Sequence, residues 1–437
     1  MSHKPLFVCA AAFLCIALSA PVFGQGDFNR PMETAFELAI SQQFDENSKQ
    51  AILVTVSVPY RKLVFFVRGE RYESRYRVYV ELKDAHGKRV RGEVWEESVA
   101  TSNFRETTSA ALMASSRKRF PIEPGNYKAT VTIEVIDTSR RFTENKVVRV
   151  VGDKTGRLEL ASPVFYTHPD DSLAPKPRSG EIAASLCQAP VMDGERVNSG
   201  AIYGDFNAWA RVVCNVAIPS AQRQAAFVVT ARVWDARRII VLYTRKVFDS
   251  NASGHAALCF DINIEDLPLG EYEIEFVAGT SDGAQESESE GRFTVLFNRG
   301  LFGGHIGDLV ELLSIVADEK EARAVAEAPP AERMNAWASF WRKRDPTVST
   351  ESNEAFSDFL QRLKYVLANF SAHKPGWRTD MGKIYLKNGA PDNVEDRQEG
   401  SMGRYYRLWY YYSNGVVYVF EDALGTGDYH LLSTEII

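Results

Sequence analysis

The sequence lacks the short motifs by which the common classes of enzyme are recognised. It contains no Walker-type phosphate-binding loop, no G-x-S-x-G, no H-E-x-x-H and no C-x-x-C. Its histidines are scattered, and no two of them have the spacing of metal ligands on one helix face. The sequence therefore predicts no cofactor and no metal site, and it assigns a catalytic role to no residue.

The chain also lacks an excess of positive charge and any apolar run of membrane-spanning length. Its 51 Lys+Arg are outnumbered by 57 Asp+Glu, for a net charge of −6, so no overall field would attract nucleic acid. An apolar run at 6–18 follows Lys4 and is too short to cross a bilayer comfortably. Small residues then place Val22 and Gly24 for cleavage, which predicts a signal peptide at 1–24. We therefore expect export to the periplasm or the extracellular space, with no membrane span after processing.

Cysteine is scarce, with five residues in all. Two of them, Cys9 and Cys15, lie in the predicted signal peptide and leave with it. The remaining Cys187, Cys214 and Cys259 are odd in number, so at least one thiol stays free. Two interpretations stay open: one disulfide formed in an oxidising compartment, or three buried thiols that act as small apolar side chains.

Alternation of apolar and polar side chains dominates the first 300 residues. It predicts strands at 76–82 and 127–135, the second of them after a Pro-Gly-Asn turn. A similar turn followed by tyrosine recurs at 268–272 and opens another alternating run that reaches residue 278. Two copies of one strand-rich module are the simplest explanation, and immunoglobulin-like β-sandwiches fit the number and spacing of the strands.

The sequence thus predicts a mainly β N-terminal part followed by an α+β C-terminal domain. One sandwich is expected at 25–160 and a second at 181–298, with a proline-rich linker at 161–180 between them. After residue 298 the apolar period changes to that of helices, which predicts a helical segment at 299–372. The last unit, at 373–437, is expected to hold a small antiparallel sheet.

Short alternating runs place the strands of that last sheet. They predict strands at 383–386, 405–412, 416–420 and 429–432. An Asn-Gly pair at 414–415 separates the second and third runs, and this pair is a strong hairpin signal.

Several motifs near the C-terminus occur together in a fixed order. The run at 376–380 reads Gly-Trp-Arg-Thr-Asp, and the run at 340–347 reads Phe-Trp-Arg-Lys-Arg-Asp-Pro-Thr. A Gly-Ala-Pro-Asp turn follows at 389–392, and Gly-Thr-Gly-Asp-Tyr stands at 425–429. Together they resemble the GWxTD-domain family of exported bacterial proteins, which is named for its motif and not for an activity. One departure is Met381, where members often carry arginine.

The resemblance singles out two sets of residues. The candidate binding residues are Trp377, Arg378, Asp380, Asp392, Asp422 and Asp428. The residues expected to belong to the structural motif are Phe340, Trp341, Arg344, Asp345 and Glu354. Aromatic and arginine side chains are typical anchors of an interface, so we expect a non-enzymatic surface around the motif, with Tyr410 and Tyr412 nearby. The expected partner is another envelope or extracellular protein.

The rival hypothesis is a carboxylate-dependent hydrolase or a carbohydrate-processing enzyme. Asp380 and a second carboxylate, Asp422 or Asp428, would act as its acid and base. Two carboxyl groups about 5–10 Å apart in an open cleft would favour this enzyme. Carboxylates that accept backbone N–H groups, or that pair with Arg344 and Arg378, would favour the interaction protein.

Overall fold

Two β-sandwiches and a C-terminal domain of helices and one sheet make up the described part of the protein. The computed structural model describes residues 35–44, 50–109, 112–152, 156–167, 180–187, 196–198, 201–204, 209–219, 225–249, 254–280, 286–346, 353–371, 373–399 and 404–437. The signal peptide predicted at 1–24 lies outside these residues. None of the helices in the described ranges is long and apolar enough to cross a membrane.

The described residues of the first sandwich form eight strands in two sheets. The strands are β1 Glu37–Phe44, β2 Gln50–Pro59, β3 Phe66–Arg68, β4 Arg71–Asp84, β5 Arg89–Thr101, β6 Met113–Pro121, β7 Gly125–Val135 and β8 Arg141–Val150. One sheet has the order β1-β2-β6; in the other, β4 pairs with β3, β5 and β7, and β7 pairs with β8. Alternate side chains of both sheets meet in one core, where Val54 and Val56 face Val78, Val131 and Ile133 with no exposed area.

In the second sandwich, eleven strands in two sheets lie within the described ranges. The strands are β9 Glu159–Leu160, β10 Val164–Thr167, β11 Ile182–Leu186, β12 Arg196–Val197, β13 Ile202–Tyr203, β14 Trp209–Ala217, β15 Ala226–Trp234, β16 Ile240–Asp249, β17 His255–Asn263, β18 Gly270–Thr280 and β19 Glu286–Val295. One sheet has the order β11-β17-β14-β10-β12 with β9 also on β14, and the other has the order β13-β19-β18-β15-β16. The expected mainly β architecture with two sandwiches is therefore confirmed.

The two sandwiches repeat the same local contacts at equivalent places. Tyr127 Oη donates a hydrogen bond to the carbonyl oxygen four residues upstream at 2.8 Å, and Tyr272 Oη does the same at 2.6 Å. At the hairpin after β4, Asp84 Oδ1 accepts the N–H groups of residues 86 and 88. Asp235 Oδ1 accepts those of residues 237 and 239 after β15. A tyrosine that ties a turn to its strand is a feature of immunoglobulin-like sandwiches.

The segment between the sandwiches differs from the linker predicted at 161–180. Both β9 and β10 pair with β14, and the side chains of Leu160 and Phe165 lie in the second core. The second sandwich therefore begins at β9, inside the range predicted for the first. The short strands β9 and β10 were not predicted, because the prolines that follow them made the segment resemble a linker. Residues 168–179 lie outside the described part, so the proline-rich stretch itself stays a prediction.

Five α-helices precede the C-terminal sheet in the part of this domain that the structure describes. They are α1 Ile306–Leu313, α2 Glu319–Glu327, α3 Arg333–Arg342, α4 Glu354–Phe370 and α5 Asp380–Asn388. The sheet has the order β20-β21-β22-β23, formed by Asn393–Glu399, Arg404–Tyr411, Val416–Asp422 and His430–Ile436. The hairpin between β21 and β22 turns at Gly415, whose φ of 62° lies in the left-handed region that glycine adopts without strain.

The helices and the sheet share one apolar core, which runs from Leu296 through all five helices to Phe420. The boundary predicted between 299–372 and 373–437 therefore does not separate two cores. The strand predicted at 383–386 is wrong, because these residues belong to α5. The Thr379 hydroxyl accepts the N–H of Gly382 at 3.0 Å and caps that helix, and Gly389, with a φ of 82°, follows its last residue.

Candidate functional site

The Gly-Trp-Arg-Thr-Asp motif lies where α4, α5, α1 and β23 meet. Gly376–Arg378 forms a single 3-10 turn between α4 and α5. A Cβ atom at Gly376 would lie 2.1 Å from the carbonyl oxygen of Val366 in α4. One at Gly382 would lie 1.9 Å from the carbonyl oxygen of Gly376. Both positions therefore need glycine, since any side chain would push the turn away from α4.

The tryptophan of the motif points into the core. Trp377 has no exposed area, so it cannot anchor a partner on the surface. The Arg378 guanidinium covers its ring, with Cζ 4.4 Å from the ring centroid. Arg378 also pairs with two carboxylates of α1, Asp308 at 2.6 Å and Glu311 at 3.0 Å. The arginine thus pairs with α1, and not with the motif carboxylates that the sequence suggested.

The last two residues of the motif each accept a backbone N–H group. Thr379 caps α5, as described above. Asp380 Oδ2 accepts the N–H of Leu431 at 3.0 Å, which fastens the first turn of α5 to β23. His430 lies beside it, with Nδ1 3.7 Å from Asp380 Oδ2 and Nε2 3.3 Å from Asp428 Oδ2. The side chains of His430 and Asp380 are 62% and 36% exposed, so this cluster is open to solvent.

Two further candidate carboxylates also accept backbone N–H groups. Asp422 is buried, and its two oxygens accept the N–H groups of residues 424, 426 and 427 at 2.6–3.2 Å. Asp392 Oδ2 accepts the N–H of Tyr412 at 2.7 Å. These contacts hold the loop after β22 and the turn before β20. Carboxylates that accept backbone N–H groups are expected of the interaction protein and not of the hydrolase, so these contacts favour the interaction protein.

The second set of sequence motifs builds the helical half of the core. Phe340 and Trp341 are each 5% exposed, and the Trp341 ring packs against Phe356 and Phe359 of α4. Arg344 stacks on Phe340, with Cζ 3.7 Å from the ring centroid, and forms an ion pair with Glu321 of α2.

Asp345 and Glu354 complete this set, and Met381 is the position that departs from the family pattern. Asp345 is half-buried three residues after the end of α3, and the side chain of Glu354 lies outside the described part. Met381 is 5% exposed and packs in the shared core. The position where the resemblance implies arginine is thus occupied by a core residue here.

The outer face of the C-terminal sheet carries a strip of tyrosines, formed by Tyr406, Tyr410 and Tyr412. Strand alternation sends Arg407, Trp409 and Tyr411 toward the core and their neighbours outward. The rings of Tyr410 and Tyr412 lie 5.9 Å apart, and Tyr412 is 57% exposed. Beneath the strip lie the buried side chains Leu408, Val417 and Val419, which form an apolar cluster separate from the main core.

Charged residues border the tyrosine strip. Tyr410 Oη donates to Glu395 Oε2 at 2.8 Å, and Glu395 pairs with Arg397 at 2.8 Å. On the other side, Glu421 accepts a hydrogen bond from Tyr406 Oη at 3.3 Å and forms an ion pair with Arg404, also at 3.3 Å. The hydrogen bond to Glu395 raises the pKa of Tyr410 above its usual value, so its hydroxyl stays protonated. The face combines aromatic rings with a polar rim, as protein interfaces do.

Sequence reasoning missed Tyr406, Arg407 and His430. Arg407 is buried on the inner face, where it forms a bidentate pair with Asp396 at 2.6 and 2.8 Å. The register of β20 and β21 alone places these two residues opposite each other. Within the described ranges, no group of three or more His, Cys, Asp or Glu is placed to hold a metal ion.

The comparisons with known proteins identify the C-terminal part. The family model for the GWxTD domain matches residues 286–430, so this part of the chain is a GWxTD domain, as the motifs predicted. None of the curated proteins matches the chain significantly.

Three solved structures show weak likenesses to the chain. The β-glucuronidase of Bacteroides uniformis has a TM-score of 0.22 and 9% identity, over 56% of this chain and 26% of that one. A calcium-binding mutant of β-glucuronidase 2 from the same organism has 0.22 and 8%, over 58% and 28%. The C-terminal domain of the AgI/II polypeptide BspA of Streptococcus agalactiae has 0.18 and 7%, over 60% and 98%. The chain thus spans about a quarter of the length of the glucuronidases.

Proposed function

We propose that this chain is an exported, non-enzymatic protein whose GWxTD domain binds another envelope protein. The binding surface is the tyrosine strip and its charged border, not the motif that names the domain. The observation that carries the proposal is the contrast between them. Trp377 is fully buried and clasped by Arg378, whereas Tyr412 is 57% exposed beside the half-buried Tyr410.

The composition and the rigidity of this face support a binding role. Tyrosine and arginine are enriched among the residues that dominate binding energy, because they bury large areas and also hydrogen-bond. The rings of Tyr406 and Tyr410 stand on a paired strand and pack on the buried Leu408, Val417 and Val419, while Tyr412 follows in the 3-10 turn after β21. Little conformational freedom of Tyr406 and Tyr410 would therefore be lost on binding. The two sandwiches would act as a spacer that presents this face, a role argued from fold analogy alone.

Two observations support export. The sequence predicts a signal peptide at 1–24. The structure joins Cys187 and Cys259 in a disulfide, while Cys214 is a free, buried thiol. Disulfides persist in oxidising compartments such as the periplasm and the extracellular space, and are rare in the cytosol.

Site-specific photocrosslinking tests the proposal. A photoreactive residue is placed at position 412, within the strip, and in a second protein at position 88, in an exposed hairpin of the first sandwich. We expect one envelope protein to be captured from position 412 and not from position 88. Capture should be lost when Tyr410→Ala is added, provided that this variant melts like the parent. Equal capture from both positions, or capture that survives Tyr410→Ala, would contradict the assignment.

The carboxylate-dependent hydrolase is the second candidate, because His430 brings Asp380 and Asp428 to one exposed imidazole. Chromogenic glycosides and esters would be assayed with the parent protein and with Asp428→Asn. Turnover that disappears in the variant would support hydrolysis at this cluster. Turnover equal in both proteins would exclude Asp428 as its catalyst.

A further inference from the structure

The two sandwiches meet in a hydrogen-bonded joint. The Gln42 side chain of β1 donates to the carbonyl oxygen of Val151 at 2.7 Å and accepts its N–H at 2.9 Å. The Gln42 carbonyl accepts the side-chain N–H of Asn215 in β14 at 3.0 Å. Val151, Ala161 and Ala217 pack together beside these bonds. The two bonds to Val151 tie β1 to the residue after β8 within the first sandwich. The bond to Asn215 and the apolar contacts of Val151 then hold this sandwich against the second.

A cavity of about 270 Å³ opens at this joint, and we call it the junction cavity. Ile40 and Val147 of the first sandwich and Pro163, Phe165 and Val197 of the second supply much of its apolar wall. Gly291 lies at the wall, where a Cβ atom would come 2.8 Å from the Pro163 ring and 2.9 Å from the Phe165 ring. Ligand sites for drug-sized molecules measure about 300–1,000 Å³, so this cavity suits a smaller molecule.

Two cations line the cavity, Lys146 of β8 and Arg292 of β19. Arg292 pairs with Glu273 at 3.6 Å, whereas Lys146 has little to neutralise it. An ammonium group has three N–H donors. Among the described residues, the partner found for the Lys146 ammonium is the carbonyl oxygen of Leu38, at a long 3.4 Å. Burial lowers the pKa of Lys146, and no carboxylate opposes that shift. A desolvated charge without a counter-ion is unfavourable, and a bound anion would offset the cost.

We propose that the junction cavity binds a small organic carboxylate, with its carboxylate on the Lys146 ammonium and its apolar part against Pro163 and Phe165. Because Arg292 already pairs with Glu273, Lys146 is the lining cation left to match a single negative charge. Glu290 also lines the cavity and would repel a second negative charge, which disfavours phosphate dianions. The Ser162 hydroxyl, whose oxygen accepts the N–H of Arg149 at 3.2 Å, keeps its proton for a ligand oxygen.

Such a ligand would couple the two sandwiches. Its carboxylate would be held by the first sandwich and its apolar part by the second. Because a ligand that binds only the folded protein stabilises it, occupancy would raise the melting temperature of the joined sandwiches. This site is separate from the tyrosine strip, so it stands or falls independently of the proposed partner binding.

Isothermal titration of the full chain at pH 7 tests the site with three probes: sodium hexanoate, hexan-1-ol and sodium phosphate. We expect saturable binding of hexanoate, with the other two probes weaker by about tenfold or more. Lys146→Met should weaken hexanoate by about tenfold, and Lys146→Arg, which keeps the charge, should weaken it less. Lys88→Met, which removes an exposed lysine of the same sandwich, should leave binding unchanged.

Three results would overturn the proposal. One is the absence of saturable hexanoate binding up to about 10 mM, a concentration that would already correspond to weak affinity. Another is hexanoate binding that is unchanged in Lys146→Met. The third is phosphate that binds as tightly as hexanoate, because the apolar wall would then contribute nothing. Melting curves of each variant confirm that a loss of binding is not a loss of fold.

Discussion

Asp380 Oδ2 accepts the backbone N–H of Leu431 at 3.0 Å, a contact between residues 51 positions apart in the chain. It joins the first turn of α5 to the start of β23, the edge strand of the sheet. The aspartate of the family motif thus links a helix to a strand through a hydrogen bond to the backbone.

The first prediction concerns this contact. Asp380→Ala should lower the free energy of unfolding by about 1–2 kcal/mol, since it leaves the Leu431 N–H without its charged acceptor. Asp380→Asn keeps an oxygen acceptor and should lose less. Urea denaturation followed by tryptophan fluorescence measures both. Equal losses in the two variants would show that the hydrogen bond is not the cause.

The second prediction concerns the motif tryptophan. Trp377→Ala should lower the free energy of unfolding by about 3–5 kcal/mol, because it empties a fully buried site. Trp377→Phe should be tolerated better, as the indole N–H of Trp377 has no acceptor among the described residues. Thermal melts of both variants give the comparison. A Trp377→Ala protein as stable as the parent would show that the side chain is not part of the core.

The third prediction concerns the pH dependence of stability. Burial raises the pKa of Glu271 in β18 to about 7, although Arg292 opposes the shift. The folded protein then holds this proton more tightly than the unfolded chain, whose glutamate has a pKa of about 4.3. The stabilising contribution is complete below that value and is lost as the pH rises to about 7.

Glu271→Gln isolates this effect from that of the other carboxylates. The stability of the variant minus that of the parent should grow by about 3 kcal/mol between pH 4.5 and 7, and stay level above pH 7. Urea titrations at several pH values measure this difference. A difference that does not change with pH would show that Glu271 titrates normally in the folded protein.

The fourth prediction concerns the cysteines of a chain expressed from residue 25. Burial raises the pKa of the Cys214 thiol to about 12, so iodoacetamide at pH 8 should modify no cysteine of the native protein. Denaturant alone should expose one thiol, and denaturant with reductant should expose three. Mass spectrometry counts the labels.

The disulfide has its own readout. Reduction of Cys187–Cys259 should lower the free energy of unfolding by about 2–4 kcal/mol, because the bond closes a long loop in the unfolded chain. Cys214→Ser, which leaves the disulfide intact, should keep the effect of reductant. Three labels without reductant would mean that the bond does not form.

Long patterns were predictable from the sequence, and short ones were not. The alternation in β4, β7 and β18 extends over many residues, so the strands and their repeated tyrosine turn can be read directly. The Asn-Gly hairpin depends on one local conformation, and it too is found. By contrast, four residues at 383–386 fit either period, and the Thr379 cap decides for a helix.

The Gly-Trp-Arg-Thr-Asp segment was recognisable in the sequence, but the orientation of its side chains was not. The five residues at 376–380 lie together at the start of α5, whereas Asp392 and Asp422 lie at opposite ends of β21, beside Tyr412 and opposite Tyr405. A single tryptophan has no periodic context, however, so the sequence does not indicate whether Trp377 faces inward or outward. The partners of Arg378 lie 67 and 70 positions upstream in α1, and only the packed helices bring them together.

The close approach of Gly376 to the Val366 carbonyl has a consequence for classification. This contact determines how the turn at 376–378 packs against α4, and it carries no information about what the protein binds. Proteins that are grouped by this motif therefore share a way of packing the turn against the helix. Two such proteins can bind unrelated partners. Differences between them at the exposed positions of β21 would then reflect the difference in partner.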